Sequence, residues 1–176
     1  HILNGRMDKA EESVLWFKNL FGEDYYLEIQ RHETHDPNAA QDVYPHQVTA
    51  NKAILELARK HNIKVIATND VHFVNAEDAE AHDRLICLST GKDLDDPNRM
   101  RYTKQEWMKT TAEMNTIFSD IPEALSNTLE IADKVEFYSI DHGPIMPTFA
   151  IPEDFGTEEE YRQKFTEQDL FDEFTR

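Results

Sequence analysis

An aspartate and a histidine with one residue between them, Asp70 and His72 in the run "KVIATNDVHF" (Lys64 to Phe73), are the side chains of this sequence best suited to chemistry. A carboxylate oxygen and a neutral imidazole suit zinc, manganese or iron, and such an ion can act as a Lewis acid or water activator in phosphoester hydrolysis. In an extended chain residues two apart project to the same side, so the pair could grip one ion. Two ligands are fewer than the three or so protein groups of a catalytic zinc. A plainer reading stands beside this one: Asn69 and Asp70 form a turn or a cap, and His72 is simply half-buried.

Position favours the metal reading. Val65, Ile66, Ala67 and Thr68 are uncharged and small or β-branched, as in a strand covered on both faces, and Asp70 and His72 follow its carboxyl end. In parallel α/β folds ligands bind at that rim. "YYLEIQ", Tyr25 to Gln30, alternates and is rich in aromatic and branched residues, so it reads as a second strand whose end, "QRH", reaches the same rim. His32 is therefore a further candidate ligand. Glu28 is a weaker one, because a structural salt bridge explains it equally well. His35 and His46 lie in or beside a polar insert and read as solvated, while His61 complements the dipole at a helix carboxyl end. Asp78 and His82 are four apart and could share a helix face, and such a surface pair needs no metal. Trp16 and Trp107 read as packing residues, and the sequence holds no G-x-S-x-G, no G-x-x-x-x-G-K, no H-E-x-x-H and no cysteine pair.

The elements that must position these groups follow from periodicity. Val14, Phe17 and Phe21 predict a helix over Asp8 to Phe21 with Gly22 as its stop. Val48, Ile54, Leu55 and Ala58 predict a second helix, closed by Asn62 and linking the two strands. Helix, strand, helix and strand make half of a parallel α/β layer with a right-handed crossover. Beyond Phe73 the character is helical. "DAEAHDRLICLSTG" places Ala81, Leu85 and Leu88 on one side before Gly91, and "TKQE" (Thr103 to Glu106) and "TTAE" (Thr110 to Glu113) each allow a capping box. "DIPEALSNTLEIADKV" directs Leu125, Leu129, Ala132 and Val135 inward, with Pro122 near its start. Gly143, Pro144, Pro147 and Pro152 punctuate an extended connector, after which Tyr161, Phe165 and Leu170 restore helical spacing at the start of a further domain.

A chain of 176 residues accommodates one domain with a sizeable core. Its net charge of -17 argues against wrapping nucleic acid unaided, since phosphate binding needs an excess of Lys and Arg on one face. The single cysteine, Cys87, excludes an internal disulfide and a cysteine zinc cage, and fits a reducing cytoplasm. No apolar run reaches spanning length. The start "HILNGRMDKA" does not have the pattern of a signal peptide and lacks an initiator Met, so the expectation is a piece of a longer protein.

Six ordered strings, "YYLEIQRH", "VIATNDVHF", "DAEAHDRLICLSTGKDLDD", "RMRYTKQEWMKTTAEM", "FSDIPEALSNTLEIADKV" and "IMPTFAIP", resemble the bacterial replicative DNA polymerase III alpha subunit family. The resemblance covers the later part of the amino-terminal polymerase-and-histidinol-phosphatase (PHP) domain and the connector toward the palm. It implies a distorted (β/α) barrel with a metal site at the carboxyl ends of its strands, in which a terminal D-x-H, here Asp70 and His72, supplies two ligands to zinc or manganese. The family's early H-x-H motif and its other ligands belong upstream of His1. The palm carboxylates that hold magnesium belong beyond Arg176. The expected organisation is thus α/β, an incomplete parallel barrel over residues 1–74, then a helical lead-out over 75–140, then a connector and first helix over 141–176. The parent implied is a cytoplasmic DNA polymerase working on primer-template DNA and dNTPs with a proofreading subunit and sliding clamp. The chain alone is expected to be inactive and to self-associate through uncovered edges. Two rivals remain, a stand-alone PHP phosphoesterase and a non-catalytic protein-binding scaffold.

Overall fold

Gly22 ends the first helix, α1 (Met7–Phe21), by taking φ +57°, a conformation that costs a residue with a Cβ. The computed structural model describes residues 1–147 together with 156, 157, 159, 160, 163, 168 and 169. They fall into two units, His1–Glu136 and Phe137–Arg176.

In the first unit, α1 leads through a short 3-10 turn into β1 (Leu27–Ile29), then α2 (Val43–His61) and β2 (Val65–Ala67). The strands pair in parallel with Leu27 opposite Val65 and Ile29 opposite Ala67. A parallel pair needs a crossover, and α2 is that crossover. Asn62 closes it in the left-handed conformation, donating its N–H to the carbonyls of Ala58 and Arg59. After β2 come α3 (Ala79–Thr90), α4 (Thr111–Ile117) and α5 (Glu123–Lys134). α5 lies against β2, where Asn127 Nδ2 donates to the Val65 carbonyl at 2.8 Å. The core joins Ala10 and Val14 of α1, Leu57 and Ala58 of α2, the inward strand residues Leu27, Ile29, Val65 and Ala67, and Phe118, Ile121 and Ala124.

The sheet is a mixed helix-and-strand layer, but several helix faces are turned differently from the sequence expectation. β1 buries Leu27 and Ile29 and exposes Glu28 between them, and β2 buries Val65 and Ala67 around a half-buried Ile66, so one face is covered rather than both. α5 turns Ala124 to the core and leaves Leu129 and Val135 68% and 64% exposed, because the buried stripe runs through Ile121 and Ala124 instead. On α3, Ala79 and Cys87 are buried while Leu85 and Leu88 face solvent. Trp16 does not pack inward either, being 60% exposed against the edge of Phe17.

In the second unit Phe137, Tyr138, Ile140, Ile145 and Met146 are exposed and have no regular structure up to residue 147. Residues 159, 160, 163, 168 and 169 are helical. Tyr161, Phe165 and Leu170, on which the tail helix was expected, lie outside the described residues, as does Pro152. No described helix is long and apolar enough to cross a membrane.

Candidate functional site

Past Ala67 the backbone of β2 becomes a hinge for two side chains. Asp70 adopts φ +46°, a left-handed conformation that Asp tolerates better than most residues because its short polar side chain can bond locally. His72 then donates its N–H to the Glu106 carbonyl at 2.7 Å, Phe73 to the same carbonyl at 3.3 Å, and Met108 returns a bond to the Phe73 carbonyl at 3.1 Å. These bonds form a short parallel bridge between Phe73 and Trp107.

Asn69 locks the same junction from inside. It is 8% exposed, and its Nδ2 donates to the carbonyls of Gln105 and Trp107 at 3.0 and 2.7 Å. Its own carbonyl accepts from His32 Nε2 at 3.1 Å. The tautomer of His32 follows from Gln47. Gln47 Oε1 accepts the His32 backbone N–H at 2.8 Å, which leaves its Nε2 to donate to His32 Nδ1 at 3.0 Å. That arrangement places the ring hydrogen on Nε2; His32 is 2% exposed, with both ring nitrogens held by protein groups. It reaches the rim as its place after β1 implies, yet in this arrangement neither nitrogen is open to an ion.

With its two flanking segments so fixed, the Asp70 carboxylate meets the His72 imidazole, Oδ2 to Nε2, at 3.4 Å. Both are accessible, with side chains 52% and 35% exposed. They come together through the left-handed turn at Asp70 and not through the extended chain that their spacing suggested. Donor atoms about 2.0–2.2 Å from one tetrahedral ion lie roughly 3.3–3.6 Å apart, so the pair fits one edge of a tetrahedral coordination shell. It supplies only that edge: among the described residues no group of three His, Cys, Asp or Glu could hold a metal.

Other candidates have local duties. Glu28 is exposed and bonded to the Thr68 hydroxyl and to Gln30 Nε2, the latter at 3.0 Å. Asp78 bonds Asn75 at 2.9 Å in a capping box ahead of α3 rather than facing His82. His61 Nε2 lies 2.6 Å from Glu11, whose carboxyl is held below its usual range by Lys60 first and His61 second. His35 and His46 are exposed.

Sequence reasoning missed the surroundings of His72. His82, on the first turn of α3, has its ring 5.6 Å from that of His72, and Tyr102 stands edge-on to both at 4.8 and 4.9 Å. No local spacing points to this grouping; the short 3-10 link, Ala76–Asp78, places the start of α3 beside the loop that carries His72. The spacing of Thr103 and Glu106 allows a capping box. Glu106 Oε1 does accept Thr103 N and Oγ1, at 3.0 and 2.6 Å, but no helix follows, and the bonds close a buried turn whose Oε2 has no partner. Lys104, in that turn at φ +65°, bonds Asp36 at 2.9 Å and Glu80 at 2.6 Å, tying the insert after His32 to α3.

No protein-family model matches the chain. Among known proteins it is similar to polypeptides named DNA polymerase III subunit alpha: 39% identical over 171 residues in Borreliella burgdorferi, covering 96% of this chain. The Campylobacter jejuni protein of that name is 38% identical over 84% of the chain, and the Treponema pallidum one 31% identical over 98%. Over this segment the chain belongs to the bacterial DNA polymerase III subunit alpha family. It spans only 14%, 12% and 14% of those relatives' lengths.

Proposed function

We propose that the chain is the closing part of a PHP-type (β/α) barrel and its helical lead-out, within a subunit that extends primed DNA. The observation that carries this is the 3.4 Å approach of Asp70 to His72 just past the carboxyl end of a parallel strand, where such folds keep their sites. In the whole subunit these two side chains hold zinc or manganese together with ligands from other segments. A metal held there supplies Lewis acidity and water activation toward a phosphoester. The chain's own contribution is positional: Asn69, Glu106 and the left-handed turn at Asp70 fix the two donors. His32 acts through Asn69 and is not itself proposed as a ligand.

The whole subunit adds deoxynucleotides by magnesium-assisted phosphoryl transfer in the cytoplasm, on primer-template DNA, with a proofreading subunit and a sliding clamp as partners. The magnesium ligands lie in other segments. Retention of an accessible Asp–His pair favours a metal-binding barrel over a bare scaffold, which has no use for it.

Primer extension and a zinc and manganese titration of the isolated chain test this reading. The expected results are no extension and no sub-micromolar metal binding, because two donors do not make a site. Sub-micromolar binding abolished by Asp70→Ala would instead make the chain a metal centre in its own right.

A further inference from the structure

α2 presents a mixed face to solvent, and that face, with Arg31 just past β1, lines a cleft of about 560 Å³. Lys52 and Arg59 lie seven residues apart on it, with Leu55 between them and Val48 one turn before Lys52. Glu56 is the one acidic residue of the lining among the described residues. In a chain of net charge -17, a cleft with three cations to one carboxylate stands out. Arg31 is already fixed, its guanidinium paired to both oxygens of Asp120 at 2.6 and 2.8 Å and seated 5.0 Å over the Phe118 ring. Lys60 and His61 are engaged with Glu11 at 2.5 and 2.6 Å, whereas Lys52 and Arg59 have no ion pair among the described residues.

Seven residues of helix separate two cations by about 10 Å, too far for one phosphate to bridge. Val48 is 52% exposed, and Leu55, packed on one side against the core, is open in part on the other, so an apolar side chain of a partner would find cover between the charges. A nucleic-acid strand would meet the charges and leave that apolar pair wet. A helix with carboxylates seven apart and leucine-like side chains between them meets both demands, in the helix-on-helix manner of amphipathic partners. We propose that this face of α2 docks an acidic amphipathic helix of a partner protein, its carboxylates over Lys52 and Arg59 and its apolar stripe on Val48 and Leu55. This inference does not depend on the metal pair.

The test uses the whole chain and a fluorescein-labelled, end-capped two-heptad peptide. Its two glutamates stand seven residues apart, leucines follow each by three and four residues, and alanine and glutamine fill the rest. Fluorescence anisotropy is expected to give a Kd on the order of 10 μM. Lys52→Glu combined with Arg59→Glu is expected to weaken it about tenfold, and Val48→Ser about threefold. Both cationic positions are exposed, so circular dichroism should be unchanged in the double variant. Absence of binding, equal binding by the reversed-charge protein, or equal binding of a peptide with glutamine in place of glutamate overturns the proposal. Tighter binding of a short oligothymidylate that the same reversal removes also overturns it, and gives the cleft to nucleic acid.

Discussion

Asp70 Oδ2 stands 3.4 Å from His72 Nε2, and a left-handed residue, not an extended strand, brings them there. The local cost of φ +46° at Asp70 is carried by the bonds on either side of it, from Asn69 to the 105–107 segment and from His72 to Glu106.

That backbone geometry separates two substitutions at one position. Asp70→Asn keeps a side chain that tolerates the left-handed region and should leave unfolding free energy nearly unchanged. Asp70→Val places a β-branched residue there and should cost about 1–2 kcal/mol. Urea unfolding of both variants measures the difference, and equal stabilities would contradict the strained turn.

Asn69→Ala removes the two donations to Gln105 and Trp107 and leaves their part-buried carbonyls without that partner. A loss of about 2 kcal/mol is expected. Amide exchange should quicken at His72 and Met108, whose bonds form the bridge that Asn69 braces. Unchanged exchange at those two amides would show that the bridge holds without it.

Glu106 accepts both Thr103 bonds through Oε1 and buries Oε2 without a partner. Glu106→Gln keeps an oxygen for Thr103 and removes the buried acid, whereas Glu106→Ala orphans both Thr103 donors. The alanine variant should be less stable than the glutamine variant by at least about 1 kcal/mol. Equal midpoints in urea would contradict the accepting role of Oε1.

A pH signature belongs to Asp83. Arg99 grips it at 2.6 and 2.7 Å and holds its carboxyl below the usual range, while burial raises it by less. A carboxyl depressed in the folded state contributes stability that is complete above its unfolded value near pH 4 and is lost as pH falls through the lower folded value. Arg99→Gln should therefore lower stability at pH 7 and flatten the decline below about pH 4. Parallel acid limbs in the two proteins would show that the Arg99–Asp83 pair does not set the acid dependence.

Local signals survived folding best. Asn62 closes α2, Gly91 closes α3, and the Thr110–Glu113 box starts α4 with both bonds present, because each depends on residues within one turn. Strand positions and the parallel sense of β1 and β2 were likewise readable from apolar runs either side of a helix, whereas the pairing of Leu27 with Val65 was not. Which way helices face was not: Leu85 and Leu88 match Ala81 in period, yet nothing in a single helix says that Cys87 is the side turned inward. The site divides in the same way. The Asp70–His72 pair is a two-residue pattern and was legible. The approach of His82 and Tyr102 to His72, and the burial of His32 against Gln47 and Asn69, depend on contacts between distant positions that no local spacing encodes.

Within the whole subunit Asp70 and His72 are proposed to hold a divalent ion jointly. Zinc and manganese content of the purified full-length protein, by inductively coupled plasma mass spectrometry, reads this directly in wild type, Asp70→Ala and His72→Ala. Metal is expected in the wild type, with a fall of roughly tenfold or more in either variant at unchanged primer-extension activity. Equal metal content in all three proteins would contradict it.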